Sequence, residues 1–349
     1  MHILVTGNLG YVGTVVTAEL QRAGHRVTGY DAGYFGDCTM TPAQPPDRQF
    51  IADTRDFDPS AMSGIDGVVH LAALSNDPLG ELDPQLTEKI NVGGLEAVAV
   101  SARDAGVERF VFASSCSLYG KSELGSVLNE DAAQNPLTAY ARSKVAGETL
   151  LRELTTPAFR PIALRFSTGY GYSPRPRLDL VVNNLVASGL TNGTIVLESD
   201  GTPWRPLIHV EDMAQAICVA LESDHAAVGG RAYNVGLESE NYQIRTVAQM
   251  VSNKLGGLPL SMKPIGASGD QRSYNVTFNQ FRNSFPAFAP KWQLDRGIDD
   301  LVSRFRASYD PADFTSDRYF RIRKIVTLRA ADRVDRQLRM AVPVPLCSV

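Results

Sequence analysis

Apolar runs and stretches of helical period alternate along the first half of the chain. Ile3, Leu4 and Val5 carry a strand pattern over His2 to Thr6, and a glycine-rich turn runs from Gly7 to Gly13. Thr14 to Ala23 reads as a helix, with Val12, Val15, Val16 and Leu20 on one face and Gly24 as the stop. Further strands are expected at Arg26 to Asp31, Phe50 to Asp53, Gly67 to Leu74, Arg109 to Ser115 and Pro161 to Phe166. The run at 67–74 is almost continuously apolar, as a central parallel strand buried on both faces requires. Helices are expected at Pro84 to Ala105 and Thr138 to Leu154. This alternation predicts an α/β fold with a doubly wound, Rossmann-type parallel sheet.

After Gly169 the pattern becomes irregular, and Gly171 to Arg177 is rich in proline and arginine. Residues 1–170 are expected to form the sheet domain, with strands returning to the large sheet near 206–238, at Pro206 to Val210 and Tyr233 to Gly236. Residues 171–205 and 239–310 are expected to form a smaller, discontinuous substrate domain, and 311–349 a helical tail. The tail carries arginines from Arg318 to Arg339 around Ile325, Val326, Leu328, Val334 and Leu338. It reads as an amphipathic helix with a solvated basic face, and a nucleic-acid arm is the alternative.

Composition narrows the classes. A net charge of −4 supplies no global basic field, so no nucleic-acid partner is expected. No apolar run reaches the roughly 18 residues of a membrane span, and the N-terminus lacks a secretion signal, so a cytoplasmic location and no membrane partner are expected. Cys38, Cys116, Cys218 and Cys347 are scattered without pair spacing, which suits a reducing compartment. Neither they nor the five histidines show ligand spacing, so no metal is expected.

The turn from Gly7 through Gly10, Tyr11, Val12 and Gly13 has GxxGxxG spacing between a strand and a helix. Missing side chains let the backbone approach a pyrophosphate, and the helix start offers amides and a positive dipole end. Asp31 ends the second strand, where a carboxylate hydrogen-bonds the adenine ribose and repels a 2′-phosphate. That favours NAD over NADP. Asp53 reads either as a contact to the adenine edge or as the cap of the turn at Thr54 and Arg55.

Tyr140 and Lys144 lie four apart on the expected helix and therefore share a face. A nearby ammonium is expected to lower the tyrosine pKa towards that of a usable base. Ser115 closes its strand at the carboxyl edge of the sheet, where such folds place active sites, and its hydroxyl can donate to a substrate oxygen.

These features fall in one order: the glycine turn, Asp31, His70-Leu71-Ala72-Ala73, Asn91-Val92, Ser114 to Gly120, and Tyr140 with Lys144. Over residues 1–305 the chain resembles the extended short-chain dehydrogenases, and more narrowly the NAD-dependent epimerase/dehydratase family acting on nucleotide sugars. The resemblance implies that Ser115, Tyr140 and Lys144 form the catalytic triad. Leu71, Ala72, Asn91 and Ser114 are implied to line the cofactor, with Thr54 and Ser75 beside them. Ser115, Ser117, Thr168, Asn184, Leu185, Arg205 and Arg272 are expected to meet a nucleotide-diphosphate sugar, the arginines as phosphate clamps. Arg175 and Arg177 face either substrate or solvent. The family usually dimerises through the two helices at 84–105 and 138–154, so a homodimer is expected.

The positions after Ser115 bear on the reaction. The resemblance implies an acid pair there in dehydratases and a Glu at the second position in decarboxylases, whereas this chain has Cys116 and Ser117. Water elimination needs a proton delivered to the leaving hydroxyl, so the expected activity is 4-epimerisation. Tyr140 would take the 4-hydroxyl proton as hydride leaves C4 for NAD, and the 4-keto sugar would turn over before hydride returns. A ketoreductase is the runner-up, with a dehydratase and a non-catalytic NAD sensor behind it. Thr168 stands where the family commonly has Asn, and Leu74-Ser75-Asn76-Asp77-Pro78 replaces the usual epimerase pattern. Cys116 reads as a packed residue, or as a proton donor to a ring carbon.

Overall fold

The computed structural model describes residues 1–341 except 76, 124, 198 and 263–271. Asn76, Gly269 to Gln271 and Cys347 of the stretches above lie outside the described residues, as do the last residues of the tail.

In chain order the main elements are His2–Thr6 (β1), Tyr11–Arg22 (α1), Arg26–Asp31 (β2), Arg48–Ile51 (β3), Gly67–His70 (β4), Gly94–Asp104 (α2), Arg109–Ser115 (β5), Ala139–Leu154 (α3), Ile162–Phe166 (β6) and Thr168–Tyr170 (β7). There follow Val181–Asn192 (α4), Trp204–His209 (β8), Val210–Glu222 (α5), Arg231–Val235 (β9), Asn241–Gln243 (β10), Ile244–Lys254 (α6), Leu294–Ser308 (α7) and Arg321–Ala330 (α8).

Seven strands form one sheet in the order β9-β6-β5-β4-β1-β2-β3, with every pairing parallel. Alternate side chains leave a strand on opposite faces, so both faces need apolar residues when helices cover both. Ile3, Val5, Val69 and Val111 therefore pack with Val16, Leu20, Ile217 and Leu221 of α1 and α5. Leu4, Val68, Phe110 and Phe112 pack on the other side with Leu95 and Val98 of α2 and Leu151 of α3. Strand order reverses between β1 and β4, which opens a crevice at the carboxyl ends of the strands.

The helix expected over 84–105 is interrupted. Pro84–Glu88 is one α-helical turn, Lys89–Gly93 is a π turn, and α2 resumes at Gly94. A π turn inserts one residue into the helical register, and here it directs Asn91 inwards.

The strand expected at Pro206 to Val210 does exist, but it does not return to the large sheet. β8 pairs in parallel with β7 through Leu207 and Thr168, and antiparallel with β10, in a separate three-stranded sheet. The strand expected at Tyr233 to Gly236 does join the large sheet, as its edge β9 against β6. A second apolar cluster, including Val182, Val186, Val247, Val251, Ile298 and Leu301, gathers α4, α6 and α7 beside this small sheet.

The tail also differs from the expected continuous helix. α8 ends at Ala330, and Asp332 and Leu338 adopt left-handed φ values of 51° and 55° that turn the chain back. Its basic face is not simply solvated. Arg321 is buried, Lys324 pairs with Asp37 at 2.6 Å, and Arg339 pairs with Asp56.

Candidate functional site

A cavity of about 700 Å³ lies along the carboxyl ends of the strands, from β2 and β3 across to α4 and β8. Of the residues expected to form the triad, line the cofactor or meet the nucleotide sugar, all but Asn91 line it; Cys116 and Arg175 do not.

At one end lies the glycine turn. Gly7 has φ +73°, and a Cβ there would stand 2.7 Å from the Ala72 amide nitrogen. A Cβ on Gly13 would stand 2.2 Å from the Gly7 carbonyl oxygen, so any side chain at either position would push helix, turn and strand apart. Gly10 caps α1 without a side-chain bond, and no acid occupies the helix's first turn. The first amides and the positive dipole end are therefore left to whatever fills the cavity beside Tyr11 and Val12. A pyrophosphate fits this cradle in both charge and space.

Asp31, at the end of β2, accepts from the Leu9 amide at 3.1 Å and the Gly33 amide at 2.7 Å. Burial raises its pKa against these bonds. Asp53 takes the capping reading. It caps the turn at Thr54–Asp56 by accepting from the Arg55 amide at 2.9 Å, and it lines the cavity beside Thr54.

At the other end β5 brings Ser115 to the sheet edge, and α3 brings Tyr140 and Lys144 over it. Thr138 caps α3 by accepting from the Ala141 amide at 3.1 Å, which fixes the helix start at Ala139, one residue before Tyr140. Ser115 Oγ accepts from the Ser117 amide at 3.1 Å and the Ser117 hydroxyl at 2.9 Å, and Ser115 stands near enough to the Tyr140 phenol to oppose the rise of its pKa. Lys144 Nζ donates to the Ala113 carbonyl at 2.6 Å and lies 5.5 Å from the centre of the Tyr140 ring.

The electrostatics correct one expectation. Tyr140 is not depressed: burial, aided by the charge of Asp77, pushes its phenol up to about 12, against the nearby Ser115 hydroxyl and the charges of Arg177 and Arg272. Burial holds the Lys144 ammonium down to about 7, with Glu148 opposing the shift. A desolvated ammonium is itself costly, so the lysine gives up charge before it can stabilise a phenolate.

Asn91 is a second correction. Its side chain is buried and exchanges hydrogen bonds with the backbone of Leu74, at 2.8 and 3.2 Å, and donates to Ser143 Oγ at 2.9 Å. It holds the segment after β4 against α3 and does not line the cofactor site. Ser114 lines the cavity, and its hydroxyl donates to Glu148 at 2.5 Å.

On the substrate side, Arg205 donates to the carbonyls of Trp204, at 2.8 Å, and Arg272, and Arg272 pairs with Asp77. Thr168, Asn184 and Leu185 line the same cavity as Tyr140. Of the two readings of Arg175 and Arg177, solvent is excluded, since both are buried. Arg175 donates to the Leu9 carbonyl at 2.8 Å, and Arg177 pairs with Asp179 at 2.9 Å and lines the cavity. Cys116 takes the packed reading: fully buried, its thiol donates to the Arg165 carbonyl at 3.1 Å, and it does not line the cavity.

Sequence reasoning missed Asp77, whose carboxylate joins Arg272 to the Thr138 hydroxyl, and Arg321, which reaches the cavity from α8. The second had a signal. Arg321, Ile325 and Leu328 stand at i, i+4 and i+7, so the arginine shares the face that the apolar residues bury.

Over residues 3–236 the chain matches the NAD dependent epimerase/dehydratase family. The UDP-glucose 4-epimerase of Corynebacterium glutamicum is 30% identical over 284 residues, covering 76% of this chain and 84% of that protein. MoeE5, solved in complex with UDP-glucuronic acid and NAD, superposes with a TM-score of 0.77 at 26% identity, over 88% of this chain and 100% of its own. The UDP-glucose 4-epimerase of Thermus thermophilus, solved with NAD, gives a TM-score of 0.74 at 26% identity, over 88% and 100% of the two chains. The matched span runs from β1 through the edge strand β9 and so contains the glycine cradle, Ser115, Tyr140 and Lys144: the chain belongs to the NAD-dependent epimerase/dehydratase family and is an enzyme that uses NAD.

Proposed function

We propose that this enzyme is a nucleotide-sugar 4-epimerase. The observation that carries the reading is the neighbourhood of Ser115. Of the two residues that follow it, Cys116 is turned into the core and Ser117 offers only a hydroxyl, so neither can act as the acid that expels water from a sugar ring. The relatives that bear on this are the UDP-glucose 4-epimerases of Corynebacterium glutamicum and Thermus thermophilus.

The glycine cradle and Asp31 would hold NAD, which would supply a reversible hydride acceptor beside the sugar. Tyr140, as its phenolate, accepts the proton of the 4-hydroxyl and returns it to the same oxygen after the 4-keto sugar has turned over. Ser115, with its oxygen already accepting two bonds from Ser117, keeps its own hydrogen for the phenol or for the oxygen of the 4-keto sugar. Lys144 lies within reach of the phenol's field, and a ligand that brings negative charge nearby raises the lysine's affinity for its proton. Arg205 and Arg272 hold the diphosphate, so the sugar can turn about its link to the phosphate without leaving the cavity. Asn184 and Leu185 meet the same diphosphate.

The test combines mass spectrometry of the denatured protein, to find bound NAD, with incubation against a panel of UDP- and dTDP-sugars. The expected result is stoichiometric NAD and a product of unchanged mass, with no lasting change at 340 nm. A product shifted by two mass units with NADH consumed would make the enzyme a ketoreductase, and loss of water would make it a dehydratase.

A further inference from the structure

Residues 311–341 cross the cofactor end of the cavity. Ile325, Leu328, Val334 and Leu338 form their own apolar cluster with Tyr34, Leu74, Leu79, Leu86 and Ile90, residues of the segments after β2 and β4. Polar ties reinforce the crossing. The Tyr34 hydroxyl donates to the Leu338 carbonyl at 2.5 Å, Arg55 donates to the Gln337 carbonyl at 2.9 Å, and Arg318 donates to the Thr39 carbonyl at 2.7 Å.

The segment brings Arg321 with it. This side chain is 2% exposed, yet it lines the cavity together with Asp31, Tyr34 and Phe35. Its guanidinium lies 4.1 Å from the centre of the Phe35 ring. Neither terminal nitrogen has a hydrogen-bond partner among the described residues. The charged groups around it, Asp31, Arg175, Arg177 and Asp179, already hold other partners. A buried guanidinium with idle donors is costly to keep, and it is tolerated where a ligand completes it.

We propose that Arg321 binds the pyrophosphate of the dinucleotide cofactor, facing the start of α1 across the cavity, with the C-terminal segment as the strap that delivers it. The proposal rests on the NAD site described above. The chemistry wanted is a group with several anionic oxygens in a small volume, which a guanidinium fork meets two at a time. Three phosphates qualify in principle. Asp31 stands where a 2′-phosphate would fall and repels it. Arg205, Arg272 and Asn184 are assigned to the substrate side, whereas the Arg321 guanidinium lies against Phe35 and in the field of Asp31, at and just after the end of β2, with Arg175, Arg177 and Asp179 as its other charged neighbours. The cofactor's pyrophosphate is the one left.

The experiment uses the full chain, stripped of cofactor, as wild type and as Arg321→Met, which keeps the stem and removes the fork. Calorimetric titrations with ADP-ribose, adenosine, UDP and NADP separate the phosphates. The variant is expected to bind ADP-ribose about 10- to 100-fold more weakly, with adenosine and UDP unchanged. It is also expected to purify with less NAD, and to melt without ligand at or above the wild-type temperature, because an unpaired buried charge has gone. Unchanged ADP-ribose affinity would overturn the proposal. Selective loss of UDP binding would move Arg321 to the substrate, and selective loss of tight NADP binding would move it to a 2′-phosphate; either result overturns it too. So would a variant that fails to fold, or that melts early with its ADP-ribose shift intact, since those mark a structural arginine. Wild type that binds neither NAD nor ADP-ribose would instead remove the cofactor site on which the proposal stands.

Discussion

At the reactive end of the cavity the polar groups are joined to one another before any ligand arrives: Ser117 to Ser115, Lys144 to the Ala113 carbonyl, and Asp77 to Arg272 and Thr138. At the cofactor end Arg321 lies buried with idle donors among the described residues, and α1 opens without a side-chain cap. The first arrangement positions a proton carrier and keeps charge low by holding Lys144 near neutrality's edge. The second stores uncompensated positive charge, which suits tight retention of an anion. One end is preorganised for chemistry and the other for holding on.

If that contrast is right, changes at the two ends should separate turnover from retention. The largest effect is expected from Tyr140→Phe, which removes the proton carrier but keeps the ring. Turnover should fall about 10²- to 10⁴-fold while bound NAD, counted by mass spectrometry, stays at the wild-type level. Loss of NAD along with activity would erase the distinction.

A smaller effect concerns stability. Lys144 binds fewer protons folded than unfolded between about 7 and its usual 10.5, so stability should rise with pH through that window, and the cost of burying its charge is fully present below it. The denaturation midpoint of the cofactor-free protein should therefore climb from pH 7 to about 8.5, and Lys144→Met should flatten the climb. A slope unchanged by the substitution would show that the ammonium is satisfied where it sits.

The smallest effect is expected at Cys116. Cys116→Ala should leave kcat and KM as they are and cost about 1 to 2 kcal/mol in urea denaturation, through the lost bond to Arg165 and the small void. A large fall in kcat would place the thiol in the chemistry after all.

What the sequence disclosed follows from what strands and turns demand. Val68, Val69 and Phe110 to Phe112 had to be apolar because helices cover both faces of the sheet, and the glycine turn had to be glycine because Cβ atoms would collide. Strand partners are another matter. Apolar periodicity announces β8 as a strand, but only its pairing with Thr168 to Tyr170 decides which sheet it joins. Asn91 was placed in the cofactor lining because its motif lies near the cofactor, and the π turn then spends its amide on Leu74 and Ser143. The pKa of Tyr140 depends on burial, which a four-residue spacing does not reveal. Arg321 looked like one solvated arginine among many, because charge alone does not say which helical face is covered.

Among the residues that line the cavity, Arg321 and Ile322 are the last to leave the ribosome, more than 300 positions after Gly13. At roughly 5–20 residues per second, the stretch from the end of β6 at Phe166 to Arg321 takes about 8 to 30 s, ample time for β1 to β6 to pair and offer the glycine cradle. A dinucleotide that enters during this interval meets an open cradle, and the strap then closes behind it. If Arg321 holds the pyrophosphate, the order of synthesis leaves the cradle open to a dinucleotide until the last of its contacts is made.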